Sequence, residues 1–538
     1  MIFMTRKADA RQRRTSAAQN RFWINLAQLM FAMLFMLSVF SPSHAANRWI
    51  NMDAAGKLMY GHTPNGDRIA DFSSAGYHGG GIALPKVPEK LIVKPSGADD
   101  TAAIQAAIDK LGNMPLIGGS RGAVALTAGT YKIGGTLRFA ISGVVLRGAG
   151  MQERGTTLLL TGNPHLALAV SGNLKETRVG VSTTIIDAYV ASGTNSFRVA
   201  DASGLHAGDT VVITKPVTAQ WLTRMGMDDL GRRNGKNEKW IKDDLTVRRR
   251  IAALSGNRVE LEIPLMDSYD ATFLGNNVVT VSKVVVSGQL SEIGIEQLRI
   301  VAPAQKIKLG EPEFDGLRIE DAVDSWVKSV SFQDMTNAVS IESGTERVTV
   351  ANVDVVNRVS IVGAAKPFDF SVNGSQILLD RCTGTGDNTF YFATQGKQQG
   401  PVVLLNCKFA GNGHIQPHQR WSTGLLVDNC EVPDGGIDFM NRGQMGSGHG
   451  WAMGWAVAWN NLAKSFAMNQ PPGVMNWVIG NRGQLTNPPM PVFDQSTPPL
   501  LPDATVESAG SPANPRSLYL QQLKERMGES ALKAIGYP

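Results

Sequence analysis

Cysteine is scarce: the 538 residues hold three, Cys382, Cys407 and Cys430. An odd count without paired metal-ligand spacing excludes a disulfide framework and a cysteine zinc site. Charge is also low, at 18%, against 43% hydrophobic residues, 57 Gly and 26 Pro. That balance excludes both disorder and collagen. No single sign of charge governs the body either. Lys+Arg 52 exceed Asp+Glu 46, but residues 1–45 carry six bases (Arg6, Lys7, Arg11, Arg13, Arg14, Arg21) and one acid (Asp9), leaving 46 bases and 45 acids. Global charge therefore names no polyanionic partner, and nucleic acid is not expected.

Long apolar runs are missing except between Phe22 and Phe40. This run follows the basic stretch and precedes Ser43-His44-Ala45, the layout of an export signal cleaved before Ala46. A retained anchor is the competing reading, since the run approaches the roughly 20 residues that span a bilayer. Asn25 and Gln28 inside it and the small-residue exit argue for cleavage. Arg13-Arg14 lacks the rest of a twin-arginine signal. The mature chain is expected to be secreted or periplasmic, without a stable membrane anchor.

What is present is a repeat. Cys382, Cys407 and Cys430 each close a similar phrase, at 377–382, 402–407 and 425–430. Residues 348–353, 326–330 and 296–298 extend the series upstream, and Ala458-Trp459-Asn460-Asn461 extends it downstream. Units of two to three dozen residues, built from short β-branched runs and Gly/Asn turns without a 3.6-residue stripe, predict coils of a parallel β-solenoid. Equivalent residues then stack about 4.8 Å apart. The cysteines fall in an interior column with Leu298, Val330 and Val353 as small buried hydrophobes. Asn352, Asn406 and Asn429, one step earlier, read as a turn ladder.

Residues 97–109, 124–133 and 142–150 resemble the opening of the pectate-lyase-like superfamily, within a largely uncharacterised bacterial branch. The resemblance, with the coils to about residue 490, covers most of the mature chain. It implies an all-β fold, a right-handed single-stranded parallel β-helix whose first coil is covered by a capping helix. Asp99, Asp100 and Thr101 suit that helix's start, Ile104, Ala107, Ile108 and Leu111 its buried face, and Gly112 its end. The superfamily hosts lyases, hydrolases, epimerases and phage depolymerases, so it implies no single chemistry. No calcium-binding acidic cluster and no Lys/Arg base motif of pectate lyases or of the chondroitinase B group is found, so no catalytic residue is carried over.

The predicted order is an export signal at 1–45, cap and first coils at 46–180, and a small antiparallel β insertion at 181–285. Main coils follow at 286–495, then a linker at 496–516 and a terminal helix at 517–538. The insertion carries Arg232, Arg233, Lys236, Lys239, Lys242, Arg248, Arg249 and Arg250 with Trp221 and Trp240. Interleaved acids such as Asp243 and Asp244 favour a solvated loop over an anionic-glycan site. In the terminal helix Leu520, Leu523 and Met527 line one side and Gly528 is the stop.

Seven histidines follow residue 45, three of them within 414–449, beside Trp421, Trp451, Trp455, Trp459, Arg420 and Arg442. Counting from the cysteine column stacks His418 against Asn441 and brings Arg420 and Arg442 to one wall. Asp387 and Asn388 start that wall a coil earlier, and Lys397 approaches it. Such a wall suits a polysaccharide: indoles stack on sugar C–H faces and cations hold carboxylates. The leading expectation is an exported polysaccharide lyase that cleaves a uronate-containing glycan by β-elimination. His418 is the base, Arg420, Asn441 and Arg442 the carboxylate neutralisers, and His414 or His449 the orienter or acid. Trp421, Trp451, Trp455, Asp387, Asn388 and Lys397 bind substrate. A glycoside hydrolase using Asp387 and Asp438 is the first alternative, and a non-catalytic glycan-binding envelope protein the second. The leader argues against a phage tailspike. The partner is a polysaccharide, in the lyase reading an acidic one; no cofactor or protein metal site is called for, and calcium is left open.

Overall fold

The computed structural model describes residues 48–231, 237–362, 367–493 and 498–538. The export signal at 1–45 and Arg232, Arg233 and Lys236 lie outside the described residues.

Among the described residues, 29 strands pair in parallel into one continuous wound sheet. The register is carried by apolar columns. Leu91, Val124, Leu146, Ile295, Val327, Val350, Leu379, Leu404, Val427, Ala458, Val478 and Val506 follow one another rung by rung. A slip of one residue in any coil would turn that column outward, so burial holds the phase. The molecule is a parallel β-helix, with strands as short as the sequence phrases predict.

Cys382, Cys407 and Cys430 are fully buried free thiols whose sulfurs face backbone carbonyls inside the barrel. The ladder residues Asn352, Asn406 and Asn429 all have φ between 51° and 55°, the left-handed region that Asn tolerates. The Asn429 amide donates to Asn406 Oδ1 at 2.5 Å. Arg381 occupies the same turn one coil before Asn406, at φ 52°, and Asn460 continues it at φ 54°.

Helix Thr101–Gly112 buries Ile104, Ile108 and Leu111 in the barrel's own core. Its start is held by Asp99, which accepts from the Thr101 amide at 2.9 Å and the Thr101 hydroxyl at 2.6 Å. These bonds lower the Asp99 pKa. Asp100 instead accepts from Ser96 N.

The insertion is antiparallel, running from strand Lys175–Arg178 to strand Thr280–Ser287, and it has its own apolar core. Its tryptophans are not on a solvated loop. Trp221 and Trp240 stack at 5.3 Å and both meet Trp421 of the barrel edge-on. Arg249 is buried and Arg248 pairs with Glu176 and Glu346. Arg248 and Arg249 both reach the barrel, at Glu346 and the Gly400 carbonyl, while Arg250 turns to Gly208 and Glu262 of the insertion, a division that charge counting alone does not register.

The stretch expected to be a linker contains strand Thr505–Glu507, which adds a further rung to Trp477–Ile479. Helices Leu518–Met527 and Glu529–Ala534 follow. Leu518, Tyr519 and Leu523 form the buried side, whereas Met527 is exposed. Asp428 of the barrel accepts from Ser517 Oγ at 2.7 Å and Tyr519 N at 2.8 Å, fastening this end. No helix among the described residues is long and apolar enough to cross a membrane.

Candidate functional site

One column of the barrel brings aromatic and titratable side chains together. Asn337, Phe368, Phe390, His414, Gly436, Ser465 and Gln484 are successive rungs. Phe368 and Phe390 stack at 4.9 Å with planes 13° apart, which makes an aromatic step immediately before His414.

His414 Nδ1 lies 2.7 Å from Asp438 Oδ2, one coil away. The imidazole is 31% exposed while the carboxylate is 3% exposed, so a buried acid holds a ring that reaches solvent. Gln416 Nε2 donates to the same oxygen, and Asp438 Oδ1 has no partner among the described residues. Glycine at 436 makes this possible. A Cβ there would stand 2.5 Å from His414 Nδ1 and 3.0 Å from Ser465 Oγ. With Nδ1 held by a carboxylate, Nε2 is the nitrogen available for proton transfer.

His418 is placed differently from the sequence expectation. Its ring packs 5.5 Å from Phe390, 5.7 Å from Phe368 and 4.6 Å from His449, and Nδ1 meets Gln395 Oε1 at 3.1 Å. Burial, followed by the nearby Arg442 and Arg420 charges, pushes its pKa down to about 3. A ring that resists protonation this strongly does not suit the general-base role expected of His418, whereas the His414 ring is partly exposed and held by a carboxylate.

Arg442 extends over Phe390, 5.6 Å from the ring centroid, and donates to the His418 carbonyl at 2.9 Å. Burial lowers its pKa to about 10, which leaves it cationic at neutral pH. Arg420, with φ 56°, donates to Ser447 Oγ at 2.7 Å. Among the described residues neither arginine bonds to a carboxylate. His449 is 7% exposed and sits behind His418, where its carbonyl accepts from Arg420 N and Trp240 Nε1.

Several expected site residues lie elsewhere. Trp421, Trp451 and Trp455 are between 0% and 3% exposed, and Trp459, which its place in the repeat phrase assigns to the core, is fully buried. Trp421 and Trp455 donate to Asp267, Trp451 to Met225 O and Trp459 to Pro515 O. They seat the insertion and the terminal segment and offer no ring face to a sugar. Asn441 is fully buried, its Oδ1 capping Gly443 N, and so cannot neutralise a substrate carboxylate. Asp387 and Asn388 are exposed on the turn entering strand Phe390–Ala393, where they bond to Asn412. Lys397 lies beyond the other end of that strand, paired with Asp243 at 3.1 Å, so these residues do not converge.

Sequence reasoning missed a carboxylate pair on the same face. Asn337 Nδ2 bridges Glu313 Oε1 at 3.3 Å and Asp315 Oδ1 at 2.8 Å. Burial and then the Asp315 charge raise Glu313 to about 7, and burial raises Asp315 as well. The pair stands four rungs, about 19 Å, from His414. Glu313 precedes strand Asp315–Glu320, so no strand alternation in the sequence signals that the two acids meet; Asn337, a coil away, brings them together.

No family model matches the chain, and no curated protein matches it. Among solved structures it is similar to the tailspike protein gp49 from Pseudomonas phage LKA1, at 14% identity and TM-score 0.36, covering 73% of this chain and 72% of that one. It is similar also to the tailspike of E. coli bacteriophage HK620 in complex with pentasaccharide, at 10% identity and TM-score 0.40, covering 88% and 72%. A third is the Gp54 tailspike of Acinetobacter baumannii bacteriophage AP22 in complex with capsular saccharide, at 12% identity and TM-score 0.28, covering 72% of each chain. The wound parallel architecture rests on the strand register above rather than on these likenesses.

Proposed function

We propose that this chain is a polysaccharide lyase that cleaves a uronate-containing glycan by β-elimination, with His414 as the base. The observation that carries the reading is the imidazole held through Nδ1 by buried Asp438, one rung from Phe390, over which Arg442 extends. His414 Nε2 takes the proton from the carbon bearing the substrate carboxylate. The electron pair left behind forms a carbon–carbon double bond, and the glycosidic oxygen departs and is protonated. Arg442 and Arg420 favour the negative charge that builds on the carboxylate as the proton leaves. The half-buried Phe368 edge supports a sugar ring two rungs from His414. The leader-like residues 1–45 support action outside the cytoplasm.

A hydrolase is the second reading, favoured by the Glu313–Asp315 pair. A carboxyl with a pKa of about 7 remains partly protonated at neutral pH, as a general acid requires. This pair replaces Asp387 and Asp438, because Asp438 is buried and committed to His414 and Gln416.

Incubation with a panel of acidic and neutral polysaccharides separates the readings. The lyase reading expects ultraviolet-absorbing unsaturated product, lost about 100-fold or more in His414→Ala without a change in fold. Reducing ends without such absorbance, lost in Glu313→Gln, would select the hydrolase. Glycan binding with no product from any member would reject both and leave a binding protein.

A further inference from the structure

We propose a binding site for an aliphatic carboxylate, a medium-chain fatty acid, on the barrel's outer face between the segment at 82–86 and the last residues of the terminal helix. Lys328, Ala351 and Asp380 are successive rungs of one column there, and Trp326, Thr349 and Leu378 are the rungs two residues earlier. Upstream, Tyr77 and Val87 cover this face at Trp326. Downstream, Val403 and Leu426 of the following rungs share an apolar cluster with Leu518, Tyr519 and Leu532. The two covers leave a gap, a cavity of about 350 Å³. Its size falls in the range of small-ligand sites, roughly 300–1,000 Å³.

The walls of the cavity are aliphatic and reach solvent. Ile82, 38% exposed, and half-buried Leu84 stand on one side, and exposed Ala534 and half-buried Ile535 on the other. Ala351, with the smallest side chain of its column between Lys328 and Asp380, leaves the floor hollow. Surface of this kind is withdrawn from water by an apolar body. Among the described residues no aromatic ring lines the cavity, and Thr349 and Asn352 are its only neutral hydrogen-bonding side chains. Thr349 already accepts from Tyr77 N at 2.8 Å. A sugar, which needs partners for many hydroxyls, is poorly served here.

The rim carries free charge of one sign. Lys86, Lys328 and Lys533 are exposed, and among the described residues none of them makes a hydrogen bond or an ion pair. The lining's one acid, Asp380, is committed: it accepts from Tyr537 Oη at 2.6 Å and from Arg381, the fourth cation, at 2.6 Å. Glu529, one helical turn before Lys533, is paired with Lys524 at 2.9 Å. Three ammonium groups around one apolar hollow repel one another, and an anion seated among them relieves that repulsion. A carboxylate on an aliphatic chain meets both demands. The site shares no residue with the His414 wall and does not rest on its chemistry.

The test is isothermal calorimetry on the full chain with octanoate and decanoate, each kept monomeric, against acetate, decanol, decyltrimethylammonium and tetragalacturonate. Decanoate should bind about tenfold more tightly than octanoate, the scale of two further buried methylenes, and acetate should not bind measurably. Lys86→Gln, Lys328→Gln and Lys533→Gln combined should weaken decanoate about tenfold or more. Melting temperature should hold in that variant, since none of the three lysines fastens another residue. Ala351→Leu, which fills the floor, should weaken decanoate to a similar extent, and His414→Ala should bind it as the parent does. The proposal is overturned if neither carboxylate binds, or if decanol or decyltrimethylammonium binds as well as decanoate. It is overturned equally if affinity survives either the combined lysine change or Ala351→Leu, or if tetragalacturonate binds more tightly through the same lysines.

Discussion

His414 and His418 are four residues apart and of the same type, yet their surroundings give them opposite uses. His414 has a carboxylate behind it and solvent in front, whereas His418 has two phenyl rings, a second imidazole and two guanidinium charges around it. The glycine at 436 is part of the His414 arrangement, since any Cβ there drives the imidazole off Asp438. Gly436→Ala is therefore expected to lower turnover about 100-fold or more with little change in melting temperature, measured by initial rates and calorimetry. Retained turnover would show that the ring need not lie where it does. His418 gives a pH prediction. Its folded pKa of about 3 lies below the ordinary value of about 6.5, so the unfolded chain takes up the proton first as pH falls. Its contribution to stability is whole above about pH 6.5 and is lost progressively towards pH 3. Urea titrations across that window should show a shallower slope in His418→Gln than in the parent.

At the level of elements, the terminal helix is fastened by a carboxyl with an unfavourable charge. Burial raises Asp428 to about 7, only partly offset by its bonds to Ser517 and Tyr519. A raised carboxyl contributes stability that is present below its unfolded pKa of about 3.9 and is lost as pH rises through about 7. The parent should therefore melt lower at pH 8 than at pH 6. Asp428→Asn, which keeps an acceptor oxygen without the charge, should flatten that difference. The Asn ladder and the cysteine column were legible as elements because each coil repeats the same local demand: a left-handed turn, then a small buried side chain. The tryptophans misled for a related reason. A large ring with one N–H suits both a sugar subsite and a docking surface, and nothing local to residues 421–459 announces that Trp221, Trp240 and Asp267 of the insertion cover them.

For the molecule as a whole, that tryptophan cluster joins the insertion to the barrel. Asp267 of the insertion accepts from Lys215 at 3.0 Å and from the indoles of Trp421 and Trp455 at 3.1 and 3.2 Å. Breaking such a buried arrangement by removing one partner is strongly destabilising. Insertion and barrel should therefore unfold together, so tryptophan fluorescence and far-ultraviolet circular dichroism should trace one coincident urea transition. Two separated transitions would show the insertion to be independent.

The sequence by itself determined the winding. A repeated phrase can bury its apolar members only by stacking on its neighbours, so the barrel and the capping helix follow from residues close together in the chain. It also drew attention to the stretch from 387 to 449, because outward-facing polar residues recur there. Which imidazole is held and which is smothered, which carboxylates pair, and which indoles are hidden were decided only by tertiary structure. Those outcomes depend on a coil's partner a rung away, on bulges that shift register by a residue or more, and on a distant insertion folding back. Proton affinity and access are set by what surrounds a group in space, and a one-residue bulge is enough to change that neighbour.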